Sequence, residues 1–180
     1  LMIVVKNKAD CCGCTACYSV CPKKAISMQQ DQEGFLYPFV EISKCIDCKL
    51  CDSACPIENK IESKMFDRKA YVLRAKDAEI VSTSTSGGFV TPLGEWILNQ
   101  GGVICGATYN EEYKVIHKIS GGAEEFRGSK YVQSDLGDCF SEIKKHLMQE
   151  TKVCFIGTPC QVYGLKSYLR KEYDNLVTVD

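Results

Sequence analysis

Eight cysteines stand in two matching runs, Cys11-x2-Cys14-x2-Cys17-x3-Cys21-Pro22 and Cys45-x2-Cys48-x2-Cys51-x3-Cys55-Pro56. The iron of iron–sulfur clusters prefers thiolate, and each cubane takes four such ligands. Eight thiolates at a repeated spacing are therefore a ligand set for two 4Fe-4S clusters, whose chemistry is the one-electron step. Structural zinc also takes Cys-x2-Cys pairs. Zinc ribbons, however, use separated pairs, not four cysteines within eleven residues, twice over.

The two short gaps in each run bend a loop around one cluster and bring three sulfurs to adjacent corners. The fourth Cys lies beyond the x3 gap, where the chain is expected to leave as a helix. In two-cluster ferredoxins that residue ligates the other cluster. The spacing thus predicts Cys11, Cys14, Cys17 and Cys55 for one site, and Cys45, Cys48, Cys51 and Cys21 for the second. Each Pro is expected to stop the helix from starting earlier and to remove an N–H that would crowd the cluster. Between the runs, Ala25 to Met28 and Gly34 to Val40 read as two short strands around a polar turn, Gln29 to Glu33. Residues 9 to 58 as a whole resemble a bacterial-type 2×(4Fe-4S) ferredoxin domain with pseudo-two-fold symmetry. Cys12 fits neither spacing rule and reads as a spare small residue, or as a shifted ligand register.

Composition is consistent with this chemistry. The 180 residues carry 13 Cys and a formal net charge of −1, with length for one or two domains in a reducing, cytoplasmic setting. No apolar run approaches the ~20 residues of a membrane helix, so direct membrane insertion is not expected. Lysines are interleaved with acids and form no basic cluster, so nucleic acid is not expected as a partner either.

The second half has a different pattern. Glu58 to Lys69 is polar and of alternating sign, a linker or short solvated helix, and places the boundary of a first domain at residue 58. Beyond it strand-like and helix-like segments alternate. Ala70 to Ala75 reads as a strand, Gly88 to Gln100 as a helix closed by Gly101-Gly102, and Val103 to Thr108 as a buried strand. Lys114 to Ile119 reads as a half-exposed strand carrying His117. Leu136, Phe140, Ile143 and Leu147 form a helical stripe. Lys152 to Ile156, Gln161 to Glu172 and Leu176 to Val179 complete a strand–helix–strand unit of an α/β domain. The expected fold class is an α+β ferredoxin-type domain at 1–58, a linker at 59–69, and an α/β domain at 70–180. Cys105, Cys139 and Cys154 fall in strand or helix patterns as small buried hydrophobes.

Three polar, glycine-containing segments fall at the joints of this pattern: Ser82 to Gly88, Gly128 to Ser134, and Gly157-Thr158-Pro159-Cys160-Gln161. Hydroxyls and open backbone N–H groups before a helix suit a phosphate. The second segment offers a cation, an aromatic face and several donors. The third lies where α/β folds place ligands, at the carboxyl end of a strand. Each also has an ordinary reading, as an N-cap or as a turn with Pro near N1.

Taken in order, Ser84-Thr85-Ser86-Gly87-Gly88-Phe89, Gly128-Ser129-Lys130-Tyr131-Val132-Gln133-Ser134 and Gly157-Thr158-Pro159-Cys160-Gln161 resemble the motifs of a known family, that of the coenzyme F-420 hydrogenase/dehydrogenase beta-subunit. The resemblance covers roughly residues 70 to 180. It implies FAD, and electron relay between a deazaflavin coenzyme or a redox partner protein and iron–sulfur clusters. It assigns Ser86, Gly87 and Gly88 to the FAD phosphates or ribityl chain. Ser129, Lys130 and Tyr131 would go to the flavin ring or its phosphates, and Thr158, Cys160 and Gln161 to closing the pocket. The family continues beyond the third motif, and Leu1-Met2 does not read as a natural start, so the α/β domain is expected to be truncated at its C-terminus. Cys160 stays open between flavin neighbour, cluster ligand and inert turn residue.

Two functions follow. One is an iron–sulfur flavoprotein oxidoreductase joining a two-electron donor at FAD to two cubanes. The other is a non-catalytic ferredoxin-type module that docks a larger oxidoreductase.

Overall fold

The computed structural model describes residues 3–59 and 69–180, and the expected linker at 59–69 falls almost wholly outside the described residues. The N-terminal unit runs as a 3-10 turn (Lys8–Asp10), α1 (Ala16–Val20), β1 (Ile26–Gln30), β2 (Leu36–Val40), a second 3-10 turn (Ile42–Lys44) and α2 (Leu50–Ala54). The cysteine repeat is therefore a structural repeat: each turn precedes a first cysteine, and each helix spans the gap before a fourth. The left-handed backbone also recurs, with φ of 63° and 51° at Gly13 and Asp47, and 60° and 61° at Thr15 and Lys49. These positive angles turn the chain around each loop at a steric cost that only a well-determined surrounding sustains.

The helices lie between the third and fourth cysteines, not after the fourth as expected. Residues before proline are pushed out of the helical region, and Cys21 and Cys55 are both extended, with ψ of 110° and 118°. Pro22 and Pro56 thus terminate helices instead of delaying them.

β1 and β2 form the expected antiparallel hairpin, registered from Ile26↔Val40 to Gln30↔Leu36. Its turn is closed by Asp31, whose carboxylate accepts from the Glu33 and Phe35 N–H groups at 2.9 and 3.1 Å.

The second unit holds α3 (Ala78–Ser82), α4 (Val90–Leu98), β3 (Val103–Tyr109), β4 (Val115–Ser120), α5 (Cys139–Met148), β5 (Val153–Ile156), α6 (Pro159–Leu169) and β6 (Leu176–Val179). Its sheet has the order β4-β3-β5-β6. β3 pairs antiparallel with β4 and parallel with β5, which pairs parallel with β6. Side chains alternate across it. Cys105, Val153 and Phe155 face α5 and α6, packing with Phe140, Ile143 and Leu165. Ile104 and Cys154 share the opposite core with Ile97 of α4 and Phe126. Cys105, Cys139 and Cys154 are buried, as their patterns suggested.

Two expectations change. Residues 70–75 form no strand, and the Val72 side chain is fully exposed at 103%. β-branched residues favour strands because they fit a half-buried pleated face. Here the segment lies along residue 87 instead, with the Ala75 N–H donating to the Gly87 carbonyl at 2.7 Å. His117, expected on a half-exposed strand, is buried: its ring stacks on Phe155, with centroids 5.4 Å apart.

The His117 ring donates from Nε2 to the Ile156 carbonyl at 3.0 Å, while Nδ1 is buried without a hydrogen-bond partner among the described residues. Protonation would place an unsupported charge in the core, so burial pushes the imidazole pKa below 6.5. Above that pH the ring is neutral in folded and unfolded chains alike. Below it, the unfolded chain takes up the proton first, and stability falls until the folded pKa is passed. Urea unfolding between about pH 7 and pH 5 should show this decline, and His117→Phe should flatten it. An equal slope in the variant would assign the loss to other groups.

Candidate functional site

The two cysteine sets close around separate spaces. Cys11, Cys14, Cys17 and Cys55 line a cavity of about 110 Å³, together with Cys12, Gly13 and Thr15. Cys21, Cys45, Cys48 and Cys51 line a second, tighter space of about 20 Å³. Each cavity thus takes three cysteines from one run and the fourth from the other. Among the described residues, no three His, Cys, Asp or Glu side chains are grouped as around a single metal ion. A cubane does not ask for that, because each thiolate ligates its own iron at its own corner and the sulfurs must ring a space.

The donor chemistry fits such a group. Burial pushes the Cys17 thiol up to about 12, with the neighbouring Cys11 and Cys55 adding to it. Burial likewise raises the thiols of Cys11 and Cys51. Thiolates gathered this closely need a compensating positive charge, so metal binding and thiol ionisation are coupled. Backbone N–H groups are already directed at sulfur in the second set, from Ile3 to Cys51 Sγ at 3.4 Å and from Ala25 to Cys21 Sγ at 3.3 Å. On the first set, the Thr15 hydroxyl lines the cavity at 2% exposure without a partner among the described residues. Cys17 on α1 lines the first space and Cys21, just past the end of the same five-residue helix, lines the second, which keeps the two spaces adjacent.

The α/β domain meets the first set directly. α1 and α2 pack on α6, and Cys14, Ala16 and Ala54 belong to the same core cluster as Phe140 and Leu165. A Cβ added at Gly164 of α6 would lie 2.9 Å from Cys14 Cβ and 3.0 Å from its Sγ. Polar contacts surround this joint: Tyr18 Oη donates to Asp138 at 3.0 Å, Arg170 to Ser53 Oγ at 2.7 Å, and the Leu36 N–H to Gln133 Oε1 at 3.0 Å. Gly13 has no room for a side chain because Gln133 and the Leu36 carbonyl occupy that position.

Above the joint opens a cleft of about 930 Å³ between the two units. Lys130, Tyr131, Thr158, Cys160 and Gln161 line it from one side, and Cys11, Cys12, Leu36 and Tyr37 from the other. Two of the three polar loops therefore share a cleft with the first cysteine set. The first loop does not line it. The hydroxyls of Ser82, Thr83 and Ser84 donate to carbonyls of Glu79 and Ile80 and close the end of α3. Gly87 is packed against the Leu73 carbonyl and Gly88 against Ile80, so their missing side chains serve packing. Ser86 is exposed. The loop touches the second one through Thr85, whose hydroxyl accepts from the Ser129 N–H at 2.9 Å.

Within the cleft, Lys130 Nζ donates to the Arg127 carbonyl at 3.0 Å, and burial lowers its ammonium pKa. The Tyr131 ring is 87% exposed. Gln161 is engaged at both ends, accepting from the Thr158 N–H at 2.9 Å and donating to Ser134 Oγ at 2.9 Å, so it shapes the wall. Cys12, which reads from the sequence as a spare residue or a shifted ligand, lines both the first cysteine cavity and the cleft. Its misfit to the cysteine spacing was the only signal. Cys14, followed by burial, helps push Cys12 up to about 11, and Cys12 raises Cys160.

Residues 10–59 match the family described as the 4Fe-4S dicluster domain. The chain is 24% identical to one subunit of the F(420)H(2) dehydrogenase of Methanosarcina mazei, over 94% of this chain and 51% of that protein. It is 34% identical to an uncharacterised ferredoxin of Methanocaldococcus jannaschii, over 29% of this chain and 68% of the relative. Against a subunit of the NADH-quinone oxidoreductase of Geobacter metallireducens the identity is 37%, over 31% of this chain and 46% of the relative. The chain thus spans about half the length of the Methanosarcina protein.

Gly164→Ala should push α6 off the first cysteine loop, an overpacking cost of about 1–3 kcal/mol. Iron per chain should fall from about eight towards about four, with the second site retained. Full iron content and unchanged unfolding in the variant would show that the loop yields without loss.

Proposed function

Since the chain belongs, through residues 10–59, to the 4Fe-4S dicluster domain family, we propose that it works as the iron–sulfur portion of a flavoprotein oxidoreductase. It relays electrons between a two-electron donor or acceptor, a deazaflavin such as coenzyme F-420 or a similar carrier, and two cubanes. Cys11, Cys14, Cys17 and Cys55 hold one cluster, and Cys45, Cys48, Cys51 and Cys21 the other. The observation that supports this reading is the cleft in which Lys130, Tyr131 and Cys160 face Cys11 and Cys12. A redox cofactor there would lie against the first cluster, with no further carrier between them.

The group implied by the resemblance is FAD, which when bound takes electrons in pairs and passes them on singly. The Tyr131 ring offers an open face for a flat aromatic system. Lys130, anchored through the Arg127 carbonyl, supplies a cation that favours an anionic reduced ligand. Gln161 and Thr158 fix the start of α6, and Leu36 and Tyr37 form the opposite wall. Ser86, Gly87, Gly88 and Ser129 enter the proposal through the resemblance alone. Subunits of larger redox complexes are among the relatives, and a redox partner protein is proposed for this chain as well. No helix among the described residues is long and apolar enough to cross a membrane, and a reducing, cytoplasmic setting is proposed.

The second reading, a docking ferredoxin without flavin, draws on the first polar loop, whose hydroxyls serve α3 and not the cleft. One experiment separates the two. Flavin and iron are assayed on the same anaerobic sample, and reduced coenzyme F-420, NADPH and reduced ferredoxin are added in turn while bleaching is followed. Bleaching of flavin and clusters by the deazaflavin is the expected result, and Lys130→Ala should weaken flavin retention by about 1.5–3 kcal/mol. Iron without flavin, and no response to the deazaflavin, would leave the docking ferredoxin.

A further inference from the structure

One residue of the first cysteine loop carries two costs for which the protein alone gives no return. Thr15 stands between Cys14 and Cys17 at φ 60° and ψ 4°, in the left-handed region. Glycine enters that region freely, whereas a β-branched side chain there is crowded by its own backbone. A threonine before a helix ordinarily accepts an N–H of the first turn on its hydroxyl oxygen. At Thr15 that bond is not made. The residue is only 2% exposed, and its hydroxyl is buried without a partner among the described residues. Thr15 lines the cavity of Cys11, Cys14, Cys17 and Cys55, and the Asn7, Asp10 and Glu58 side chains that share this cavity do not bond it.

The internal repeat supplies the comparison. Lys49 answers to Thr15 in the second run, at φ 61° and ψ 10°, and its side chain also caps nothing. Lys49 is exposed. The loop thus requires the left-handed turn in both runs, but not a buried hydroxyl. That hydroxyl is particular to the first cavity.

We propose that the Thr15 hydroxyl donates a hydrogen bond to a sulfur of the first cluster and raises that cluster's reduction potential. The role rests on Cys11, Cys14, Cys17 and Cys55 holding a cubane, and it is independent of the flavin reading. A buried donor left unpaired is costly, and sulfur is the acceptor that a cubane brings into this cavity. Cluster and thiolate sulfurs become more negative on reduction, so a donor aimed at them stabilises the reduced form more than the oxidised one. One electron enters and no bond to hydrogen breaks: Thr15 keeps its proton on Oγ1 throughout. Thr15 is therefore a tuning residue and not a ligand. Because Cys11 and Cys12 line both this cavity and the cleft, the hydroxyl favours an electron resting on the cleft side of the cluster pair.

The test uses anaerobic protein carrying both clusters, titrated with dithionite and mediator dyes while the reduced clusters are followed by electron paramagnetic resonance. Thr15→Val keeps the branched shape and removes the O–H, and Thr15→Ser keeps the O–H. At wild-type iron content, Thr15→Val should lower one of the two midpoint potentials and leave the other in place. The expected drop is about 59 mV, a tenfold change in a one-electron equilibrium. Thr15→Ser should restore the wild-type value, which a residue serving packing alone would not do. Thr15→Gly also frees the left-handed backbone, and provides a second hydroxyl-free variant with the same expected drop should Thr15→Val fail to assemble. Unmoved potentials in the hydroxyl-free variants, equal shifts at both clusters, or a serine variant that matches valine would overturn the proposal. Wild-type protein that takes up no iron would overturn the cluster reading with it, a result distinct from iron bound at unmoved potentials. Iron retained without flavin removes the flavin reading and leaves the Thr15 titration to be decided on its own.

Discussion

Helix α6 lies against the first cysteine loop with a hydrogen atom, and no side chain, between them. Gly164 permits this approach, and the arrangement of the two units follows from it. With α6 so close, Cys14, Ala16 and Ala54 enter the core cluster of the α/β domain and are not left as a surface of a separate ferredoxin. The N-terminus of the same helix then carries Thr158, Cys160 and Gln161 to the rim of the cleft, opposite Cys11 and Cys12. A bulkier residue at 164 would act on the cluster loop and on the cleft through one rigid element.

The internal repeat makes the asymmetry of the molecule visible. The two halves of the N-terminal unit share turns, helices and left-handed residues at equivalent positions. The α/β domain touches both, through α1 and α2, but takes a cysteine, Cys14, into its core from the first alone. The difference is recorded where the repeat breaks: Gly13, pressed by Gln133 and Leu36, answers to Asp47, which keeps its side chain at a similar positive φ. Asymmetric covering assigns the two cysteine sets different surroundings. The first adjoins the cleft, and the second receives N–H groups from Ile3 and Ala25. Hydrogen bonds to sulfur and solvent access are the quantities that set cluster potentials, so two sites of the same local sequence need not be redox equals.

What the sequence made legible was what depends on local spacing. The cysteine runs state their geometry within eleven residues, because three ligands of one cubane must come from one tight loop. The strands at 103–109, 153–156 and 176–179 were marked by short apolar runs beside glycine or polar turns. Legibility failed where the deciding neighbour was distant in sequence. His117 is buried by Phe155, which its own strand pattern could not indicate. Residues 70–75 carry strand-forming side chains but meet no sheet edge. The hydroxyls at 82–84 sit before one helix and after another, and composition alone could not say which they serve. Cys12 and Cys160 line one cleft through the packing of α6 on the first cysteine loop, so neither residue announced the other.

The exchange of one cysteine between the two cavities has a consequence for how the chain is made. The second set is complete only when Cys51 has been synthesised, and the first only at Cys55, although its other three members are among the first seventeen residues. The two pockets therefore become competent within four residues of each other as the chain leaves the ribosome. A nascent chain stopped anywhere earlier presents a row of bare thiols and no finished site. Neither pocket thus gains its full set of thiols until the other is within four residues of doing so, and a cut between the two halves would unmake both.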